Sequence, residues 1–264
     1  MITENEYKTQ ICAIGKRIYD KGFVAANDGN LSIRISENEF LVTPTGVSKG
    51  FMTPEMLLKV DGQGNVLEGS WKPTSEMRMH LLVYKEEPEI QAVVHVHPPY
   101  ATAFAIAGLP LNQAIMPESV VYLGTIPIAE YGTPSTKEIS AAVQKYVQNH
   151  QGVLLENHGA LTWGNSLEHA YYLMESLEFT AKINWIAKQM NGDRELSQTK
   201  VEELISIKTK LGINGVSPIG AETMEGIMAK KLTPAIERSL SAKDIDLIVE
   251  KVTKNILEAL NKKI

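Results

Sequence analysis

Cysteine is nearly absent from this 264-residue chain: Cys12 stands alone, so no disulfide can form within it, and the usage fits a reducing compartment. Basic residues are not in excess either. Against 31 Asp and Glu there are 26 Lys and Arg, for a formal net charge of −5 and an isoelectric point near 5.8. That balance argues against a nucleic-acid partner and against an anionic membrane surface. No apolar run approaches about 18 residues, and the N-terminus has no basic segment followed by an apolar one, so a cytoplasmic protein is expected. Gly-x-Gly-x-x-Gly and Gly-Lys-Ser/Thr patterns are missing, which disfavours nucleotide-dependent chemistry. What is present, 44% hydrophobic and 22% charged residues, suits one large core, or one core with an appendage.

Histidine is scarce too, with six in the chain, and half of these fall at the ends of apolar runs. Ala92-Val93-Val94-His95-Val96-His97-Pro98-Pro99 reads as a short buried strand stopped by proline. Residues two apart on a strand share a face about 6.5–7 Å apart, so His95 and His97 can converge on one metal. An isolated His-x-His can equally be two satisfied histidines at a strand end. His158, after the apolar run Gly152–Leu155, supplies a third imidazole. Three neutral imidazoles leave a fourth zinc position open, the arrangement of a catalytic rather than a structural site.

The remaining pattern predicts helices and short strands of uneven length. Thr3-Glu4-Asn5-Glu6 is a capping box, followed at helical spacing by Tyr7, Ile11, Ile14 and Ile18, with Gly22 as the stop and Cys12 in the core. Strands are expected over 31–35 and 40–43, a short helix at 53–56, and a hairpin about Asp61-Gly62-Gln63-Gly64. A helix should open at Pro73-Thr74-Ser75-Glu76 and run to about Lys85, with others over 101–107, 136–149, 166–191 and 196–211, and strands over 93–96, 124–128 and 152–155. With no repeat and no βαβ regularity, this predicts an α/β fold: a three-layer sandwich with a mixed, largely antiparallel central sheet, plus a C-terminal amphipathic helix. The expected organisation is a catalytic domain over 1–212, a Gly/Pro-punctuated linker over 213–240, and a helix over 241–264 whose Ile245, Ile248, Val249, Val252, Ile256 and Leu260 share one face.

Glu76, in the expected first turn of a helix, would ordinarily be a surface residue favoured by the helix dipole. Beside a three-histidine metal it becomes a candidate general base and fourth ligand. Asn27 and Asn30, Thr45 and Gly46, and Thr74 and Ser75 lie in polar loops or at a helix start, where outward N–H groups favour phosphate. Taken singly, each is also ordinary turn or cap chemistry.

In register, Gly29-Asn30-Leu31-Ser32-Ile33-Arg34, Thr43-Pro44-Thr45-Gly46, Ser75-Glu76, His95-Val96-His97-Pro98 and Asn157-His158-Gly159 resemble the class II aldolase/adducin family over about residues 5–212. The resemblance implies one Zn²⁺ per subunit on His95, His97 and His158 with Glu76 completing the resting coordination. It further implies a phosphate pocket from Asn27, Asn30, Thr45, Gly46, Thr74 and Ser75, and a homotetramer. The implied reaction is reversible cleavage of a ketose 1-phosphate, L-fuculose 1-phosphate favoured, to dihydroxyacetone phosphate and L-lactaldehyde. The fold family also contains L-ribulose-5-phosphate 4-epimerases, which usually carry Ser-Asp where this chain has Ser75-Glu76, phosphosugar dehydratases, and adducin-like interaction modules lacking the metal residues. The pattern departs from the family on the aldehyde side, where Leu211 and Met116 occupy positions at which aromatic residues are expected. That leaves Tyr131, Glu118 or a neighbouring subunit to supply an acid. The terminal helix either folds back on its own subunit or a tetramer neighbour, or docks elsewhere: linker and helix resemble peptides that recruit enzymes to bacterial microcompartment shells, which makes a shell protein the alternative expected partner.

Overall fold

A computed structural model describes residues 2–192 and 194–220, and the expected terminal helix over 241–264 lies outside the described residues, as does the linker beyond residue 220. The first helix, α1 (Glu4–Asp20), forms as its sequence requires: Thr3 accepts the Glu6 N–H, Glu6 accepts the Thr3 N–H, and Ile11, Ile14 and Ile18 are buried along one side. Cys12 is only half-buried beside that apolar stripe, and burial pushes its thiol up to about 11.

Strands β1 (Asn30–Ser36) and β2 (Glu39–Val42) pair as a hairpin, and β3 (Leu58–Asp61) with β4 (Val66–Glu68) as another. Asp61 holds the second turn by accepting the Gln63 and Asn65 N–H groups. With β5 (Ala92–Val96), β6 (Ile128–Ala129), β7 (Gly152–Leu155) and β8 (Gly159–Gly164), the described residues form one eight-stranded sheet in the order β4-β3-β2-β1-β5-β8-β7-β6. The pairing is antiparallel apart from β6 with β7.

Alternation along β5 separates two apolar layers. Ala92, Val94 and Val96 face a layer built with α1, α3 (Pro99–Ile106) and α5 (Leu167–Gln189), whereas Val93 faces one built with α2 (Met77–Glu86) and α4 (Lys137–Gln144). The three-layer sandwich is therefore present. The last described helix, α6 (Gln198–Lys210), packs on a π-helical turn at Ser119–Leu123. Among the described residues no helix is long and apolar enough to cross a membrane.

Several boundaries differ from expectation for physical reasons. The helix expected from Pro73 begins at Met77, because residues 72–74 stay extended against the 43–45 segment: Thr45 donates to the Lys72 carbonyl at 2.9 Å and Thr74 to that of Thr43 at 3.1 Å. Glu76 is consequently the residue before the helix, not one in its first turn. The strand expected over 124–128 is reduced to Ile128–Ala129 after an isolated bridge between Leu111 and Ile126, and α4 gives way to turns at Lys145. β8 was not anticipated. Its glycines at both ends conceal a strand that pairs with β5 and β7 at once. Residues 213–219, the expected start of the linker, run packed along the domain: Thr125 donates to the Val216 carbonyl, Lys208 Nζ to Gly215, and Ile219 bridges Gln113.

Candidate active site

The sheet brings the three histidines to one edge of its central strands. His95 lies near the end of β5, opposite Asn30 on one side and Leu161 on the other. His97 sits just beyond the strand, its N–H held by the Phe23 carbonyl at 3.0 Å. His158 occupies the tight turn between β7 and β8, where Asn157 takes a left-handed conformation with φ 53°. Gly159 is required by close approach: a Cβ there would stand 2.5 Å from His97 Cδ2 and 2.6 Å from the Val96 carbonyl.

The three rings lie with centroids 4.8–5.0 Å apart, and one ligand atom from each falls within 4.8 Å of the others. His95 Nδ1 is 2.9 Å from the Ala160 carbonyl, which places that ring's proton on Nδ1 and its lone pair on Nε2. Nδ1 of His97 faces the Asp28 carboxylate at 3.6 Å, which favours the same tautomer. The two Nε2 atoms then meet lone pair to lone pair at 3.2 Å. A tetrahedral zinc with nitrogens at 2.0–2.1 Å would set them about 3.3 Å apart, so the donor set fits such a cation.

Glu76 closes the group. One carboxylate oxygen is 3.2 Å from His95 Nε2 and the other 3.5 Å from His158 Nε2, and the latter oxygen is buried with no hydrogen-bond partner. A buried, unpaired carboxylate oxygen beside three imidazoles is costly unless a cation completes the site. Burial by itself would raise the Glu76 carboxyl, but the His95 imidazole, the Asn30 N–H and His158 hold it well below the usual range. Burial, reinforced by neighbouring His95, lowers His97 and His158 to about 4. For His95, burial is outweighed by the adjacent Glu76 carboxylate and the imidazole is raised. His97 and His158 are thus held in the neutral form that metal ligation requires.

A cavity of about 200 Å³ opens on this cluster, lined among others by Asn27, Asn30, Thr45, Thr74, Ser75, Glu76, His97 and His158. Asn30, Thr74, Glu76 and His95 are buried beneath it, while Asn27, Thr45 and Ser75 are exposed at its rim. Gly46 follows Thr45 at φ 76°, a left-handed turn that glycine adopts without strain. Among the described residues no lysine or arginine lines the cavity, so an anion there would be held by amides and hydroxyls.

The residues expected on the aldehyde side are not part of this group. Glu118 and Met116 line a separate cavity with Tyr100 and Glu178, exposed Tyr131 donates its backbone N–H to Glu156, and Leu211 borders a third cavity with Trp163 and His169. Conversely, Asp28, Ser32, His80 and Tyr84 were not singled out from the sequence, yet all lie in or directly behind the site. A signal for the last three was available: 76, 80 and 84 are spaced for one helix face, 30, 32 and 34 for one strand face.

Comparison with known proteins bears on the same stretch of chain. Residues 9–185 match the family described as Class II Aldolase and Adducin N-terminal domain. The chain is similar to 3-oxo-tetronate 4-phosphate decarboxylase of Haemophilus influenzae, with 35% identity over 207 residues covering 77% of this chain and 98% of that protein. It is also similar to L-fuculose phosphate aldolase of Methanococcus maripaludis, with 35% identity over 182 residues covering 69% and 98%. A solved structure of L-fuculose 1-phosphate aldolase superposes with a TM-score of 0.71 at 30% identity, covering 76% of this chain and 95% of that one.

Proposed function

The chain belongs to the class II aldolase and adducin family, and from that premise we propose that it is a zinc-dependent lyase acting on a small phosphorylated ketone, breaking the carbon–carbon bond on the far side of the carbon that neighbours the carbonyl. The observation that carries this reading is the convergence of three imidazoles and the buried Glu76 carboxylate at one end of a cavity walled by amides and hydroxyls. His95, His97 and His158 would hold the zinc, with Glu76 completing its coordination when no substrate is bound. When bound, the zinc supplies Lewis-acid stabilisation of the negative charge that develops at the substrate's carbonyl oxygen. Asn30, Thr45, Gly46, Thr74 and Ser75, with Asn27 at the rim, would anchor the phosphate and so fix which carbon faces Glu76.

The substrate we favour is a four-carbon 3-oxo acid carrying a 4-phosphate. Loss of CO₂ leaves the electron pair on the neighbouring carbon as an enediolate, and Glu76 delivers a solvent-derived proton to that carbon, giving dihydroxyacetone phosphate. CO₂ departs without proton transfer, so the leaving side needs no acid or base. That matches a cavity from which Glu118, Tyr131 and Leu211 are absent. The cavity is also smaller than the roughly 300–1,000 Å³ typical of larger ligands.

Similarity to fuculose phosphate aldolases supports a second reading, cleavage of L-fuculose 1-phosphate to dihydroxyacetone phosphate and L-lactaldehyde. There the leaving aldehyde begins as an alcohol whose proton must be removed, and a neighbouring subunit of a homotetramer would have to bring the base. Incubating the zinc-loaded protein with each substrate, and following dihydroxyacetone phosphate, CO₂ and lactaldehyde, separates the two. Release of CO₂ from the 3-oxo acid alone is the expected result; lactaldehyde from the ketose alone would reverse the preference, and no product from either would overturn the lyase.

A further inference from the structure

Behind the site, the polar side of β1 and one side of α2 run at nearly equal pitch. Residues two apart on a strand advance about 6.5–7 Å and residues four apart on a helix about 6 Å. Asn30, Ser32 and Arg34 therefore meet Glu76, His80 and Tyr84 in steps. Asn30 Nδ2 donates to Glu76 Oε2 at 2.9 Å, and Asn30 Oδ1 lies 2.6 Å from His80 Nε2. His80 Nδ1 is 2.7 Å from Ser32 Oγ, which is 2.8 Å from the Tyr84 hydroxyl. At the far end the Arg34 guanidinium donates to the Tyr84 carbonyl and lies 5.1 Å from its ring centre. His80 and Ser32 are each 1% exposed and Tyr84 3%, so water does not compete along the chain.

One arrangement of protons satisfies every member. The ionised Glu76 can only accept, so the Asn30 nitrogen faces it and the Asn30 oxygen faces His80. His80 must then carry its proton on Nε2 and donate it to that oxygen. Its Nδ1 accepts from the Ser32 hydroxyl, which in turn accepts from Tyr84. Burial keeps His80 uncharged, with its imidazole lowered to about 3. Among the described residues no second protein acceptor meets Asn30 Nδ2, leaving one N–H of a cavity-lining residue free.

We propose that Tyr84, Ser32 and His80 are positioning residues that lock the Asn30 amide with its nitrogen toward the cavity, holding one N–H on Glu76 and presenting the other to an oxygen of the substrate. Without the His80 donor the amide can flip and set Oδ1 against the Glu76 carboxylate, and repulsion would then turn the proton carrier away. The inference rests on Glu76 carrying the proton in the proposed reaction, so its test has one arm independent of turnover.

In zinc-loaded, ¹⁵N-labelled protein, the long-range proton–nitrogen spectrum should show His80 as the neutral Nε2–H tautomer. The Asn30 side-chain N–H held by Glu76 should exchange slowly with solvent. His80→Leu should keep its zinc but lose the slow Asn30 exchange, and its kcat should fall about 10–100-fold, the usual cost of removing such a supporting partner. His80→Gln, which can still donate to Asn30, should recover most of both. An Nδ1–H tautomer, or unchanged Asn30 exchange in His80→Leu, overturns the proposal whatever the activity. If His80→Leu does not fold, Tyr84→Phe together with His80→Gln decides it: with zinc retained in both, little loss in His80→Gln supports the donor role of position 80, and a loss in His80→Gln as large as in a Tyr84→Phe variant that has lost the Nε2–H tautomer would contradict it. If the wild-type protein shows the tautomer and the protected amide but turns over neither substrate, the reaction assignment fails and the positioning chain stands.

Discussion

The two sides of the cavity are built very differently. On the metal side, every group is fixed by the sheet: His95 and Asn30 are cross-strand neighbours, Gly159 admits the His97 ring, and Glu76 is held by Asn30 and Thr74. On the leaving-group side, the candidate acids Glu118 and Tyr131 lie in another cavity or on the surface. The contrast teaches which groups the architecture holds together and which it holds apart. In the proposed reaction, stabilising the enediolate and protonating one carbon would fall to this sheet edge, while Glu118 and Tyr131 lie away from it.

Breaking the metal side should have the largest consequence. His158→Ala removes one of three imidazoles, and both bound zinc and turnover should be lost; metal analysis after dialysis, expected at about one zinc per wild-type chain, checks this. Glu76→Gln keeps the shape of the site and at least part of its zinc, yet turnover should fall about 10²–10⁴-fold, the weight of general acid–base catalysis. Gly159→Ala drives a Cβ into the His97 ring and the Val96 carbonyl. It should cost about 1–3 kcal/mol in urea unfolding and weaken zinc binding.

A smaller, pH-dependent effect probes the layer behind the metal. An unfolded imidazole titrates near 6.5 and folded His80 at about 3, so between those values the unfolded chain binds the extra proton. Stability present above about pH 6.5 is therefore lost as pH falls toward 3. Metal-free His80→Gln should show a flatter urea midpoint across that interval; a slope identical to wild type would remove His80 from the account. The least effect belongs to the other side. Glu118→Gln and Tyr131→Phe should change decarboxylation less than about twofold, within the range of substitutions that touch no reacting group. A large loss in either would show that the leaving-group side is assembled from residues that a single chain holds apart.

The same division governs what could be read from the sequence. That His95 and His97 share one place was legible because strand spacing is local; His158 and Glu76 were candidates by donor chemistry and by the family resemblance, and the structure sets them beside that pair. The sandwich was legible because apolar periodicities survive in most strands and helices. Three features were not. The start of α2 differs because Thr45 pairs with Lys72 and Thr74 with Thr43, a tertiary preference that overrides the capping signal of Thr74-Ser75. β8 was hidden because Gly159 and Gly164 suggest a loop, although one of them exists to admit a histidine ring. The His80 chain needs both the strand and the helix spacing together with the knowledge that α2 packs on β1, which neither period alone provides.

Exchange of a carbon-bound hydrogen of dihydroxyacetone phosphate with deuterium oxide tests the central claim most directly, since it needs zinc, the phosphate contacts and Glu76 but no leaving group. The zinc-loaded protein should replace one hydrogen on the hydroxymethyl carbon, at a rate reduced about 10²–10⁴-fold in Glu76→Gln. No exchange above the uncatalysed rate in the wild-type protein, or equal exchange in Glu76→Gln, would contradict it.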